Sequence, residues 1–242
     1  MPGTTIRIVP LAVLVVVAEI LLAAFGLVHT PEALGHGGVL ALAAVAVAQA
    51  LCVLMIWRGP LSAGRVPPLA LRTGAVTGAV TGVLYGVVGL SEYLSSAVTD
   101  ASTTVGWVIV IGIVASAVVA AAVATARSRS MRAGVAAAFY NAIVEYLVWY
   151  PFVLVCYYLF RTSTAIDRVW RAEGIYDDFA RSGLEDIRVF VLQDFWGAGF
   201  FHLIAGLVIA AVFGTAAAWA VRGLRRAPGP VPGSAKARLR LR

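Results

Sequence analysis

The chain has 242 residues, 61% of them hydrophobic and 13% charged, with a formal net charge of +7. Soluble domains carry about 25% charged residues, so this balance excludes an ordinary soluble domain and points to a polytopic membrane protein. The positive charge does not call for nucleic acid, because the basic residues flank apolar runs, where they set topology and meet anionic lipid heads.

A bilayer core about 30 Å thick takes roughly 20 helical residues. Six runs meet that requirement: Ile8–Val28, Gly38–Trp57, Leu69–Leu90, Val105–Ala126, Ala133–Phe160 and Gly197–Val221. Met1–Pro10 holds one Arg and no small-residue cleavage site, so the first run reads as a retained helix rather than a signal peptide. In the fifth run, Pro151 is expected to kink or end the regular part. The fold expected is therefore all-α, a six-helix membrane bundle over 1–226.

Alternate connections differ in charge. Arg58, Arg65 and Arg72 follow the second run, and Arg127, Arg129 and Arg132 follow the fourth. Arg222, Arg225 and Arg226 follow the sixth, and none of these connections holds an acid. On the other side, His29–Gly37 has no Lys or Arg, Ser91–Thr104 carries only Glu92 and Asp100, and 161–196 has five Arg against seven acids. The asymmetry predicts a multi-pass cell-membrane protein with both termini in the cytoplasm. Residues 227–242, with Pro228, Pro230, Pro232 and a final basic run, read as a disordered cytoplasmic tail attracted to anionic lipid.

Between the fifth and sixth runs, Ile166, Val169, Trp170, Tyr176, Phe179, Leu184, Ile187, Val191 and Phe195 recur at helical spacing, broken by Gly174 and Gly183. The pattern predicts short amphipathic helices over 161–196, outside the membrane.

Two carboxyls fall inside apolar runs. Glu19 lies near the middle of the first and Glu145 near the middle of the fifth, with no Lys or Arg at mid-depth in any run to neutralise them. An ionisable group at that depth costs about 2.5–3.5 kcal/mol on insertion scales, which makes it a functional-site hypothesis. Gln49, Thr81 and Ser116 sit at similar depth in three other runs, so a polar layer joined by hydrogen bonds is expected. Such a layer can also serve only to fix helix register. Asn141, Glu145 and Trp149 share one helix face, with Tyr146 and Tyr150 on the next, which suggests an aromatic-walled pocket around Glu145. Gly74, Gly78, Gly82 and Gly86 form a small-residue stripe for close helix packing, open also to a second copy or a partner subunit.

Other chemistries find no support. The one lysine, Lys236, is in the tail, which excludes a Schiff base within the membrane. Cys52 and Cys156 read as packing residues, and no Cys or His spacing suggests a metal or cofactor. His29, His36 and His202 are expected at the outer face as solvated residues. No Walker A motif, prenyltransferase aspartate motif or desaturase histidine box occurs.

Three functions remain. The first is transport of a proton-coupled or cationic small solute, with Glu145 as the binding group, Glu19 and Gln49 as its partners and Asn141, Tyr146 and Trp149 around it. The second is an intramembrane enzyme, such as a cyclase, using a buried carboxyl as acid on a prenyl-type lipid. The third is an accessory subunit of a larger complex.

Overall fold

A computed structural model describes residues 5–61, 66–94 and 101–226. The expected tail, Arg65 and Asp100, and the side chain of Glu92, lie outside the described residues. The helices are α1 (Thr5–His29), α2 (Gly38–Leu61), α3 (Pro68–Leu94), α4 (Ala101–Ser128) and α5 (Met131–Phe160). Two short helices follow, α6 (Thr164–Ala172) and α7 (Ile175–Ser182). Then α8 (Ile187–Ile209) passes through a π-helical turn, Ala210–Gly214, into α9 (Thr215–Arg226). The chain is all-helical where described. It has six helices long and apolar enough to cross a membrane, the sixth running from α8 through α9.

Capping residues fix the boundaries. Ser130 accepts from the Ala133 amide and starts α5 two residues after α4 ends. Arg129 turns the chain there in a left-handed conformation, at φ 56°. Ser163 accepts from Ile166 N to start α6, and Gly174 and Gly183, both at φ 75°, separate the next two helices. Asp186 accepts from Arg188 N at 2.7 Å and starts α8. These side chains satisfy amides that a helix start leaves open.

The last cap corrects the expected sixth span. The helix begins at Ile187, not Gly197, and Val189, Val191, Leu192 and Trp196 are buried against the bundle. The intervening segment is thus 161–186, with α6 burying Ile166, Val169 and Trp170 and α7 burying nothing. The polar Arg188, Gln193 and Asp194 masked this boundary in the sequence. Helix α5 also runs unbroken across Pro151 to Phe160.

Helix α5 is the hub, touching α1, α2, α3, α4, α8 and α9. A Cβ on Gly74 would meet the Ala137 carbonyl oxygen, and one on Gly78 the Asn141 carbonyl. A Cβ on Gly82 would lie 2.7 Å from the Glu145 carbonyl, and one on Gly86 would enter the Phe152 ring. The numbers rise together, so α3 and α5 run parallel, with their backbones nearly touching from Gly74 to Gly82. The stripe is therefore occupied within the chain. On the other side, α8 is antiparallel to α5: Gly199 faces the Tyr150 ring, Gly206 faces Ala142 and Gly214 faces Ala138.

Packing changes along the bundle. Toward the Arg-rich end, α4, α5 and α9 meet through alanines, including Ala117, Ala121, Ala138, Ala142 and Ala218. Toward the other end, large aromatics fill the centre, with Tyr146, Tyr150, Tyr157 and Trp196 all buried. The outer faces carry exposed Leu14, Leu21, Leu40, Val80, Leu84, Ile111, Phe201 and Val212. An apolar surface this extensive suits lipid rather than water.

Candidate functional site

The site residues named from sequence separate into two groups on different faces of α5. The first is built on Asn141, Glu145 and Trp149. Glu145 is 0% exposed, held where the α3 glycines let α3 press against α5. His202 of α8 places Nε2 3.1 Å from both carboxylate oxygens. Trp149, one turn above Glu145, stacks on the His202 ring with centroids 4.0 Å apart and planes 19° from parallel. Tyr85 of α3 lies within electrostatic reach of Glu145, and its hydroxyl donates to the Ile109 carbonyl of α4. One turn toward the Arg-rich end, Asn141 Nδ2 donates to Ser116 Oγ at 3.0 Å, and Ser116 donates to Ile113 O. Asn141 Oδ1 is buried with no hydrogen-bond partner.

His202 corrects two expectations. It is not a solvated outer residue, being half-buried at 17% side-chain exposure, and Glu145 does not lack a basic partner. Starting the sixth span at Gly197 left His202 in its first turns, whereas a start at Ile187 puts it deep in α8. The available signal was the Asp186 cap followed by Val189, Leu192 and Trp196 at helical spacing.

The second group surrounds Glu19, which is 1% exposed. Gln49 of α2 and Tyr146 and Tyr150 of α5 lie around it, with Cys52 beside them. Gln49 is near the carboxyl, yet neither Glu19 oxygen has a hydrogen bond of proper geometry. The hydroxyls of Tyr146 and Tyr150, and Nε1 of Trp196, are also buried without partners. The tyrosine rings stack, with centroids 5.5 Å apart. Buried polar groups normally find partners, since an unsatisfied one costs about 1–3 kcal/mol.

The single polar layer expected from sequence is thus split. Glu19 of α1, Gln49 of α2 and Tyr146 of α5 lie on one side, while on the other Asn141 meets Ser116 of α4, and Glu145 and Trp149 meet His202 of α8. Thr81 joins neither, because its hydroxyl donates to Thr77 O of its own helix. Among the described residues, no three His, Cys, Asp or Glu side chains gather as a metal site.

The arrangement defines a class by physics alone: a helical bundle with six apolar helices of membrane-crossing length and two enclosed carboxyls. No protein-family model matches the chain, and neither a curated protein nor a solved structure does.

Proposed function

We propose that the chain is a transport protein of the cell membrane, moving a proton-coupled or cationic small solute, with Glu145 and His202 as the exchanging pair. The observation that carries this reading is the contact of His202 Nε2 with both Glu145 oxygens in a buried setting. A carboxyl and an imidazole sharing one proton are together neutral, which suits a low-dielectric interior. Loss of that proton leaves a net negative charge that a cation can neutralise. Entry of a cation and release of a proton are then two sides of one equilibrium. The Trp149 ring stacked on His202 holds the imidazole in place against Glu145. Glu19 and Gln49 would form a second polar station on the α1–α2 side. The charge asymmetry of the connections supports an orientation with both termini in the cytoplasm.

The test is purified protein in liposomes enclosing a pH-sensitive dye. Primary amines, guanidinium and monovalent metal ions are added in turn across an imposed pH gradient. The expected result is a solute-dependent change in internal pH that Glu145→Gln abolishes and that His202→Gln alters in its pH profile. Equal traces from wild type and Glu145→Gln with every solute would remove the reading.

One observation favours a second reading. The unpartnered Glu19 oxygens, bordered by Tyr146 and Tyr150, suit a protonated carboxyl acting as acid on a lipophilic substrate between aromatic faces. Extraction of wild-type and Glu19→Gln membranes, with comparison of their prenyl lipids, would reveal a product missing only from the variant.

A further inference from the structure

The Arg-rich end contains an open cleft of about 1070 Å³ where α9 meets the α4–α5 turn. Arg129 and Arg132 line it from the α4–α5 turn and Arg222 and Arg225 from α9, and among the described residues no acid borders it. Among the described residues the ion pairs are Arg171–Asp167, Arg181–Asp178 and His202–Glu145, so none of these four guanidiniums has a carboxylate within 4.0 Å. Four arginines bordering one cleft without a carboxylate partner give it a positive potential that attracts anions.

Three further features shape the cleft. Thr125 borders the cleft, and its buried hydroxyl, which has no hydrogen-bond partner, lies against Gly134 of α5. Arg129 turns the chain between α4 and α5 in the left-handed conformation and so sits at the rim of the cleft. The α5 N-terminus, capped by Ser130, opens beside the cleft with no acid in its first turn. Met131 and Val135 add an apolar wall to the cationic rim.

We infer that this cleft binds the phosphate of an anionic phospholipid, with guanidiniums from the α4–α5 turn and from α9 on the phosphate oxygens and the glycerol end against Met131 and Val135. Arginine forks match phosphate oxygens two at a time. A free phosphate shares that chemistry but fills only a small part of the volume and leaves the apolar wall bare. The bound lipid would tie α9 to the α4–α5 turn.

The full-length protein in neutral detergent is titrated with phosphatidylglycerol or phosphatidylcholine, and retained lipid is counted by native mass spectrometry. Phosphatidylglycerol should be retained at physiological ionic strength and phosphatidylcholine lost. The double variant Arg129→Gln/Arg222→Gln should weaken retention by about tenfold for each guanidinium removed, from the strength of charge-assisted hydrogen bonds. Arg58→Gln, basic but outside the cleft, should retain lipid as the wild type does. Melting curves establish that the variants are folded. If the double variant fails that check, Arg132→Lys and Arg225→Lys should still show graded weakening, since they keep charge and lose the fork. Equal retention of the two lipids, or an equal loss in Arg58→Gln, would overturn the site in favour of diffuse charge attraction. Displacement of the lipid by millimolar inorganic phosphate, with the same thermal shift, would overturn the lipid assignment in favour of a soluble anion.

Discussion

Glu145 and His202 are held by different helices, yet each supplies what the other lacks in a buried place. Removing one member of such a pair leaves the other uncompensated, while a substitution that keeps a hydrogen bond avoids most of that loss. Glu145→Gln should therefore insert and melt nearly as the wild type does, yet lose exchange activity, because an amide cannot change charge. His202→Leu should lower the melting temperature, because it leaves Glu145 with no partner among the described groups. A double-mutant cycle between Glu145→Gln and His202→Gln should give a coupling energy of about 0.5–3 kcal/mol, and a value near zero would mean the contact carries no energy. At Tyr146 the expectation reverses. Its hydroxyl has no partner, so Tyr146→Phe should leave stability unchanged or raised in a melting assay. A loss of activity at retained stability would assign the hydroxyl to a guest near Glu19. The two carboxyls, Gln49 and the aromatic faces of α5 could be read from sequence, because polar groups in apolar runs stand out. His202 could not, because its depth depends on where its helix starts, and one cap residue decides that.

The α3–α5 contact is the element-scale feature that positions Glu145. The glycines were visible as a four-residue stripe, but their partner was not, since a stripe says that something approaches and not which helix does. At Gly82 a side chain would meet the Glu145 carbonyl at 2.7 Å and Val148 at 2.8 Å, whereas Val83 is exposed on the far face. Gly82→Leu should thus destabilise detergent-purified protein by about 1–3 kcal/mol or more, the usual range for overpacking. Val83→Leu should be silent, and equal melting of the two variants would contradict the packing. The α6–α7 pair is held differently. Asp167 accepts from Tyr176 Oη and, at 3.1 Å, from Arg171 Nε, while the Arg171 guanidinium lies 4.6 Å from the Tyr176 ring centroid. The Tyr176 hydrogen bond, then that of Arg171, pulls the Asp167 carboxyl below its ordinary 3.8. The same Asp167 hydrogen bond raises the Tyr176 phenol above its ordinary 10.0. A depressed acid contributes above its unfolded pKa and is lost as pH falls through the folded one. A raised phenol contributes below its unfolded pKa and is lost as pH rises through the folded one. Amide protection in α6 and α7, corrected for intrinsic exchange, should therefore be flat between about pH 4 and 10 and fall outside that window. Tyr176→Phe should remove the alkaline fall.

Over the whole molecule, each end has its own chemistry. The end bearing Arg129, Arg132, Arg222 and Arg225 is basic and packed by alanine, while the other carries α6, α7 and the aromatic centre. At that second end Gln193 Nε2 donates to Ala33 O and Gly35 O at 2.9 and 2.8 Å, tying α8 to the α1–α2 connection. Tyr157 donates to Arg188 O at 3.0 Å, tying α5 to the start of α8. Hydropathy alone made the six helices legible, because a bilayer demands long apolar runs. The order in which they pack was not legible, because lipid-facing and helix-facing residues are both apolar and the buried ones differ mainly in being small. Orientation rests on charge, which makes it open to a direct test. A phosphatase reporter active only outside the cytoplasm should work when fused after Gly35 or Gly183, and fail after Ser130 or at the C-terminus. A reporter that fluoresces only in the cytoplasm should give the complementary result at all four positions. Moving charge should then perturb the outcome in one direction. Replacing Arg127, Arg129 and Arg132 with Gln removes the basic cluster between α4 and α5 and should produce a mixed population at Ser130, because the retention signal for that turn is lost. Phosphatase activity at Ser130 in the unaltered chain would contradict the cytoplasmic placement of the Arg-rich end.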